Sequence, residues 1–352
     1  MDDRLDFLAT YAKDGEEVRH LPIECTFPHR LDGLGGGETA MHYWPSKNTD
    51  GPPEQLTLFI LGNPGSLGYY PPFLNHLHDL LPPTHALLAM SHVGHSPSLA
   101  APQVPLTLDE QIDTKIEVVQ AIRSTLDELA IDEHLETGQA LKSPRLALMG
   151  HSVGAYILTR VIKSLNGDGI HAGYMLFPTV GWISQSWNGK TLFPIFHQPL
   201  RSLLPVLSHL IRPILPLTTF PQTTLDLLYS PRTIQHTLAL AKSEMETIRQ
   251  PDLPWFKTNV HKDPTRGLFG VWSGGNLDGW VGREGAMVRE CLGGEWGGRV
   301  RVLDGVPHAF CLSQAHSEIV AEVVASWINP LQAGPRGKTS VAPPYGSTKL
   351  PM

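Results

Sequence analysis

A serine, a histidine and an aspartate in three distant stretches have the types and the chain order needed for acyl transfer. The serine is Ser152, inside Gly150-His151-Ser152-Val153-Gly154. A hydroxyl is a weak nucleophile until a base takes its proton, so the pentapeptide needs both a base and a turn that presents it. Arg145–Gly150 reads as a buried strand and Val153–Leu165 as a helix. Ser152 then sits on a sharp strand-to-helix turn, the setting of a nucleophile elbow. Gly150 and Gly154 let neighbouring backbone approach closely. The Val153 amide, at the helix start, is aimed where an oxyanion would develop. The plain alternative is a strand–turn–helix junction with an incidental serine; the flanks favour the elbow.

The base is His308, in Gly305-Val306-Pro307-His308-Ala309-Phe310. Seventeen histidines are present, so position must choose among them. His308 follows the strand-like run Val300–Leu303 and precedes the final helical pattern, whereas His316 falls within that helix. The acid that orients the imidazole is expected at Asp278, thirty residues earlier and after the strand-like run Gly270–Ser273. From Gly169 to Leu225 there is no Asp or Glu, which removes an acid one strand earlier. Asp263 and Asp304 are weaker rivals, and an aspartate among glycines is also an ordinary turn former. A second oxyanion donor is expected from Gly62-Asn63-Pro64-Gly65. Proline has no amide hydrogen, so Asn63 is the candidate; the same residues also suit a simple Pro-Gly turn.

His92 and His95 invite a metal reading, but no Cys or acid neighbour completes a ligand set. A structural loop role is expected, with no metal and no cofactor.

These groups need a frame. Leu56–Gly62, Ala86–Ser91, Arg145–Gly150, Gly173–Phe177, Gly270–Ser273 and Val300–Leu303 read as strands alternating with helices, the pattern of parallel βαβ units. Thr107 and Glu110 have capping-box spacing, opening a helix with Ile112, Ile116, Val119, Ile122, Leu126 and Leu129 at helical spacing. A last helix is expected over Leu312–Ile328. The order Ser, acid, His on such a frame is that of the α/β-hydrolase fold: a mostly parallel central sheet flanked by helices. Between Pro178 and about Pro264 the pattern changes, and Leu192–Phe220 is rich in Leu, Ile, Phe and Pro, with Arg201 and Arg212 its only charges. The expected organisation is a core over 1–180 and 265–330, an inserted apolar helical cap over 181–264, and a disordered tail over 331–352.

Composition sets the outer bounds. The 352 residues are 41% apolar and 17% charged, enough for one large domain with an insertion. The net charge of −7 without a basic run argues against nucleic acid as a partner. Cys25, Cys291 and Cys311 are too few and too scattered for a disulfide framework, and reduced thiols on the cytosolic side are expected. The acidic N-terminus lacks a secretory h-region. No run supplies the roughly 20 apolar residues of a spanning helix without Pro or Arg.

Several segments together resemble the lipid droplet-associated hydrolase family. They are Leu61-Gly62-Asn63-Pro64-Gly65 with Tyr69-Tyr70 and Phe73, Ser91-His92-Val93-Gly94-His95, and the elbow through Ala155-Tyr156. Leu176-Phe177-Pro178-Thr179-Val180, Ser186-Trp187-Asn188-Gly189, Asp278-Gly279-Trp280 and His308-Ala309-Phe310 complete the set. The resemblance runs from about Leu56 to Ile328. It implies a triad of Ser152, Asp278 and His308, action on neutral-lipid or sterol esters, and peripheral attachment to lipid droplets and the endoplasmic reticulum at the cytosolic face. The apolar positions Leu203, Leu204, Leu207, Leu210, Ile211, Ile214 and Leu215, with Arg201 and Arg212, suit a lipid surface; a cap packed inward over an acyl pocket suits them too. Two other functions stay open: a droplet-surface organiser with a vestigial site, and an acyltransferase using the same triad.

Overall fold

Eight strands join into one sheet in the order β1-β2-β4-β3-β5-β6-β7-β8. They are β1 Ile23–Pro28, β2 Glu38–Trp44, β3 Gln55–Ile60, β4 His85–Met90, β5 Arg145–His151, β6 Ile170–Leu176, β7 Gly267–Ser273 and β8 Val300–Leu303. Only β2 runs against its neighbours, pairing antiparallel with both β1 and β4; β4 through β8 are parallel. The helices are α1 Pro71–Leu80, α2 Leu108–Thr137, α3 Val153–Ser164, α4 Trp187–Thr191, α5 Phe193–Phe196, α6 Leu200–Ile211, α7 Gln222–Leu228, α8 Pro231–Thr247, α9 Leu253–Thr258, α10 Arg283–Cys291 and α11 Gln314–Ile328. This computed structural model describes residues 2–9, 22–31, 37–48, 51–138, 140–211, 221–275 and 277–329. The expected tail over 331–352 and the apolar positions 212–220, Arg212 included, lie outside them, as do the side chains of 209–211.

Every residue of β3 and β4 is buried, as expected for central parallel strands covered on both faces. The two-residue period of a strand splits their side chains between two cores. Leu56, Leu58 and Ile60 join Ile122, Leu126 and Ile157 from α2 and α3 on one face. Phe59 and Leu61 join Phe73, Leu77, Val320 and Val324 from α1 and α11 on the other. The Thr107 hydroxyl accepts from the Glu110 amide at 3.3 Å while the Glu110 carboxylate accepts from the Thr107 amide at 2.6 Å, so α2 opens on the expected capping box.

From β3 the chain crosses by α1 to β4 on one side, and β5 then pairs on the other side of β3. The order therefore reverses between β3 and β5, and a crevice opens there beyond the carboxyl ends of the strands. Asn63 follows β3 and Ser152 follows β5, so both stand at this switch point. Helices α4 to α9 lie between β6 and β7 in sequence, and α5 and α8 contribute walls to the cavity over Ser152. Among the described residues no helix is long and apolar enough to cross a membrane.

Candidate active site

Ser152 occupies a backbone conformation that L-residues rarely adopt, with φ 54° and ψ −121°. Such a residue is held only where its surroundings over-determine it. Its N–H donates to the Leu176 carbonyl at 2.9 Å, and its own carbonyl accepts from Ala155 at 3.0 Å. Close approach requires the flanking glycines. A Cβ at Gly150 would lie 2.4 Å from the Gly154 carbonyl oxygen, and one at Gly154 would lie 2.2 Å from that of Ile60. The hydroxyl is thus raised at the start of α3, where the Val153 N–H has no earlier helical carbonyl to bond.

Three of the sequence-chosen side chains meet. His308 Nε2 lies 2.9 Å from Ser152 Oγ, and His308 Nδ1 lies 2.8 Å from Asp278 Oδ2. An ionised carboxylate only accepts, so Nδ1 carries the ring proton and Nε2 is left to accept from the serine hydroxyl. Asp278 Oδ1 accepts from the amides of Trp280 and Val281 at 2.9 and 3.1 Å. Burial works to raise the Asp278 pKa, but the hydrogen bond and charge of His308 and these two amides outweigh it and hold the carboxyl below its ordinary value. The rival acids stand elsewhere: Asp263 accepts from the Thr265 amide and hydroxyl at 2.8 and 2.7 Å, and Asp304 is exposed.

Sequence reasoning gave His151 no task beyond the elbow, yet it ties the site together. Its Nε2–H donates to the His308 carbonyl at 3.0 Å, which leaves Nδ1 to accept from the Tyr70 hydroxyl at 2.8 Å. The Tyr70 oxygen in turn accepts from the Gly62 amide at 3.3 Å. One buried chain of hydrogen bonds therefore joins the turn after β3 to the backbone of His308. The ring also packs edge-on against Phe310, with centroids 5.1 Å apart.

Asn63 lies beside Ser152 in the cavity wall, and its side chain turns towards α8. Its Nδ2 donates to the Thr237 carbonyl at 3.1 Å and to Glu244 Oε1 at 2.9 Å. Glu244 was not anticipated. The signal was available as an acid within the stripe Leu238, Ala241, Met245 and Ile248, where an apolar residue is the rule. Burial lifts its carboxyl to about 7, partly offset by the Asn63 hydrogen bond. His95 takes a loop role: its Nδ1–H donates to the Pro64 carbonyl at 2.8 Å, and His92 packs edge-on against it.

The cavity holds about 360 Å³ and is lined by Ser152, His308, Asn63, Ile183, Phe196, Leu238, Ala241, Met245 and Leu312 among others. That is within the usual range for a small-molecule site. Its wall mixes polar residues, Ser152, His308, Asn63, Thr237 and Glu244 among them, with the apolar Ile183, Phe196, Leu238, Ala241, Met245 and Leu312. The arrangement can deprotonate a hydroxyl and direct it at an electrophile held against a greasy surface.

Burial drives the His151 pKa down to about 3, assisted by the nearby His308, and that of His95 to about 3 as well. An unfolded histidine titrates near 6.5. The stability tied to keeping these rings neutral is full above that pH and is lost as pH falls towards 3, at up to about 1.4 kcal/mol per pH unit for each ring. His29 and His85, both lowered to about 4 mainly by burial, act in the same direction. Glu244 acts in the opposite one and is outnumbered. Urea unfolding midpoints are therefore expected to drop steadily from pH 7 to pH 4.5; a constant midpoint would contradict the buried neutral rings.

Comparison with known proteins agrees with the architecture. A family model described as lipid-droplet associated hydrolase matches residues 53–311. The mouse lipid droplet-associated hydrolase is 28% identical over 301 residues, covering 79% of this chain and 85% of the mouse protein. Among solved structures, a bacterial membrane phospholipase A has a TM-score of 0.58 at 13% identity, covering 88% of this chain and 87% of its own. A haloalkane dehalogenase loop variant from Bradyrhizobium elkanii has a TM-score of 0.55 at 15% identity, covering 88% and 98%. Those two act on different chemical classes by their names, so the likeness to them establishes the fold alone. The family match runs from the approach to β3 through the loop bearing His308, and on it this α/β-hydrolase-fold chain belongs to the lipid-droplet associated hydrolase family.

Proposed function

We propose that this protein is a serine ester hydrolase acting on neutral-lipid or sterol esters at a lipid-droplet or endoplasmic-reticulum surface. The observation that carries the reading is the hydrogen-bonded series Asp278–His308–Ser152, with Ser152 and His308 opening on a cavity that Ile183, Phe196, Leu238, Met245 and Leu312 help to line. Ser152 Oγ attacks the ester carbonyl as His308 Nε2 takes its proton. The charge that gathers on the carbonyl oxygen is met by the backbone amides of Val153 and Asn63. His308 then returns the proton to the departing alcohol, and water repeats the sequence to free the acid. Asp278 keeps the imidazole in the required tautomer throughout. A lipophilic fluorophosphonate is expected to attach covalently at Ser152, identified by peptide mass spectrometry. Attachment at another residue, or an equal yield from Ser152→Ala, would falsify the assignment.

Docking at a lipid surface is supported by the outer face of α6 and its neighbour α5. Leu203, Val206 and Leu207 are 47%, 61% and 37% exposed, with Phe193 and Trp187 exposed nearby. Arg201 is half-buried and, four residues before the buried Pro205, lies on the other side of α6 from these side chains, so the apolar residues carry the contact. Burying the exposed part of one such half-covered aliphatic side chain stabilises by roughly 1 kcal/mol, and an aspartate in its place adds the cost of desolvating a charge. Leu203→Asp and Val206→Asp are therefore each expected to lower partitioning onto phospholipid-coated triacylglycerol droplets at least about tenfold in a flotation assay. Hydrolysis of a soluble ester should be unchanged. Undiminished flotation of the double variant would move the contact away from α6.

A further inference from the structure

Glu244 places a carboxyl against a cavity whose other α8 lining residues are Thr237, Leu238, Ala241 and Met245. The residue is only 5% exposed. Asn63 Nδ2 engages one of its oxygens at 2.9 Å, and no Lys or Arg pairs with it among the described residues. A carboxyl has about four acceptor sites, and burying it without partners is costly. Beside it, Asn63 Oδ1 is buried and has no hydrogen-bond partner. Both residues line the cavity that holds Ser152. An apolar pocket for plain acyl chains has no use for this pair of acceptors.

We propose that Glu244 and Asn63 form a subsite for a hydroxyl group of the substrate, so that esters bearing a free hydroxyl are preferred over fully apolar ones. The proposal rests on the ester-hydrolase reading of Ser152 and narrows its substrate class. A hydroxyl both donates and accepts, so it pairs with the ionised carboxylate and with the acid form alike. With the carboxyl lifted to about 7 by burial, both forms are populated near neutrality. The hydroxyl belongs either to the alcohol half of the ester, as in a partial glyceride, or to the acyl chain near the carbonyl. Glu244 contacts substrate in this role without taking part in the transfer of the Ser152 proton.

The test compares kcat/KM for matched esters in mixed micelles with the full-length chain. Glyceryl monooleate against propyl oleate reads the alcohol half, and methyl 3-hydroxypalmitate against methyl palmitate reads the acyl half. Wild type is expected to favour the hydroxylated member of one pair about tenfold, the value of one good hydrogen bond. Glu244→Met is expected to bring that ratio to within about twofold of unity, and Glu244→Gln, which keeps an oxygen for Asn63 and a polar group for the hydroxyl, to retain part of it. Because each ratio is internal to one variant, damage to the fold or the Asn63 turn cancels. Ratios near unity in wild type, or a preference that survives Glu244→Met, would overturn the proposal, leaving Glu244 as a tether for Asn63. Faster cleavage of oleoylcholine than of glyceryl monooleate would overturn it too, since the carboxylate would then serve a cation. Fluorophosphonate labelling at Ser152 with flat ratios removes only the subsite. Failure to label or to cleave any of these esters removes the hydrolase reading and the subsite with it.

Discussion

Ser152→Ala is expected to lower kcat on a soluble p-nitrophenyl ester by about 10⁵- to 10⁶-fold, with little change in substrate affinity. The hydroxyl is the only atom lost, and the cavity, the Val153 amide and the His308–Asp278 pair all remain. Residues that act as one unit are not additive. The double variant Ser152→Ala/His308→Ala should therefore be no slower than the single one, whereas independent groups would multiply their effects. Removing the side chain also relaxes nothing in the backbone, because the positive φ is set by hydrogen bonds to Leu176 and Ala155. The thermal midpoint should stay close to that of wild type. A variant that keeps a tenth of the activity would show that another group delivers the nucleophile.

Asp278→Asn has the second largest expected effect, about 10⁴-fold in kcat, and it arises without any change of shape. The amides of Trp280 and Val281 need an acceptor, so the asparagine oxygen is held where Oδ1 is now. Its NH₂ then faces His308 Nδ1 as a donor. The imidazole answers by moving its proton to Nε2, which turns the base into a donor towards Ser152 Oγ. Single-turnover kinetics should show the loss in acylation and deacylation alike, because the proposed mechanism uses His308 as base in both. A loss confined to one step would assign the orienting role to another acid.

The parts of this molecule most legible in the sequence were those whose local chemistry and global role agree. The continuous apolar runs of β3, β4 and β5 declare buried parallel strands, and the Thr107–Glu110 pair declares the start of α2. The edge was harder. β2 alternates buried and less buried positions, carrying Glu38 and His42 among its residues, and β1 carries Glu24. Neither makes the unbroken apolar signal of an interior strand. α1 opens on Pro71 and Pro72 and contains two histidines, His76 and His78, so its helical period was masked by residues that usually mark a turn. At the site, the candidate nucleophile, base and acid were legible because chemistry demands their types and order. Tyr70 and His151 act by supporting other groups, and Glu244 both holds Asn63 and lines the cavity; none of these roles has a fixed spacing to read. Only the misplaced acid in the apolar stripe of α8 offered a clue to Glu244.

The tether between Asn63 and α8 has an implication for engineering. Helix α8 is fixed to the turn after β3 through two donors from one amide group, so the helices between β6 and β7 cannot be exchanged without disturbing the turn beside Ser152. Grafting a foreign segment between β6 and β7 would strip that turn of its anchor and slacken the rim around Ser152. A chimera that retains Pro231–Thr247 from this chain while exchanging the helices before it should keep the rim in register.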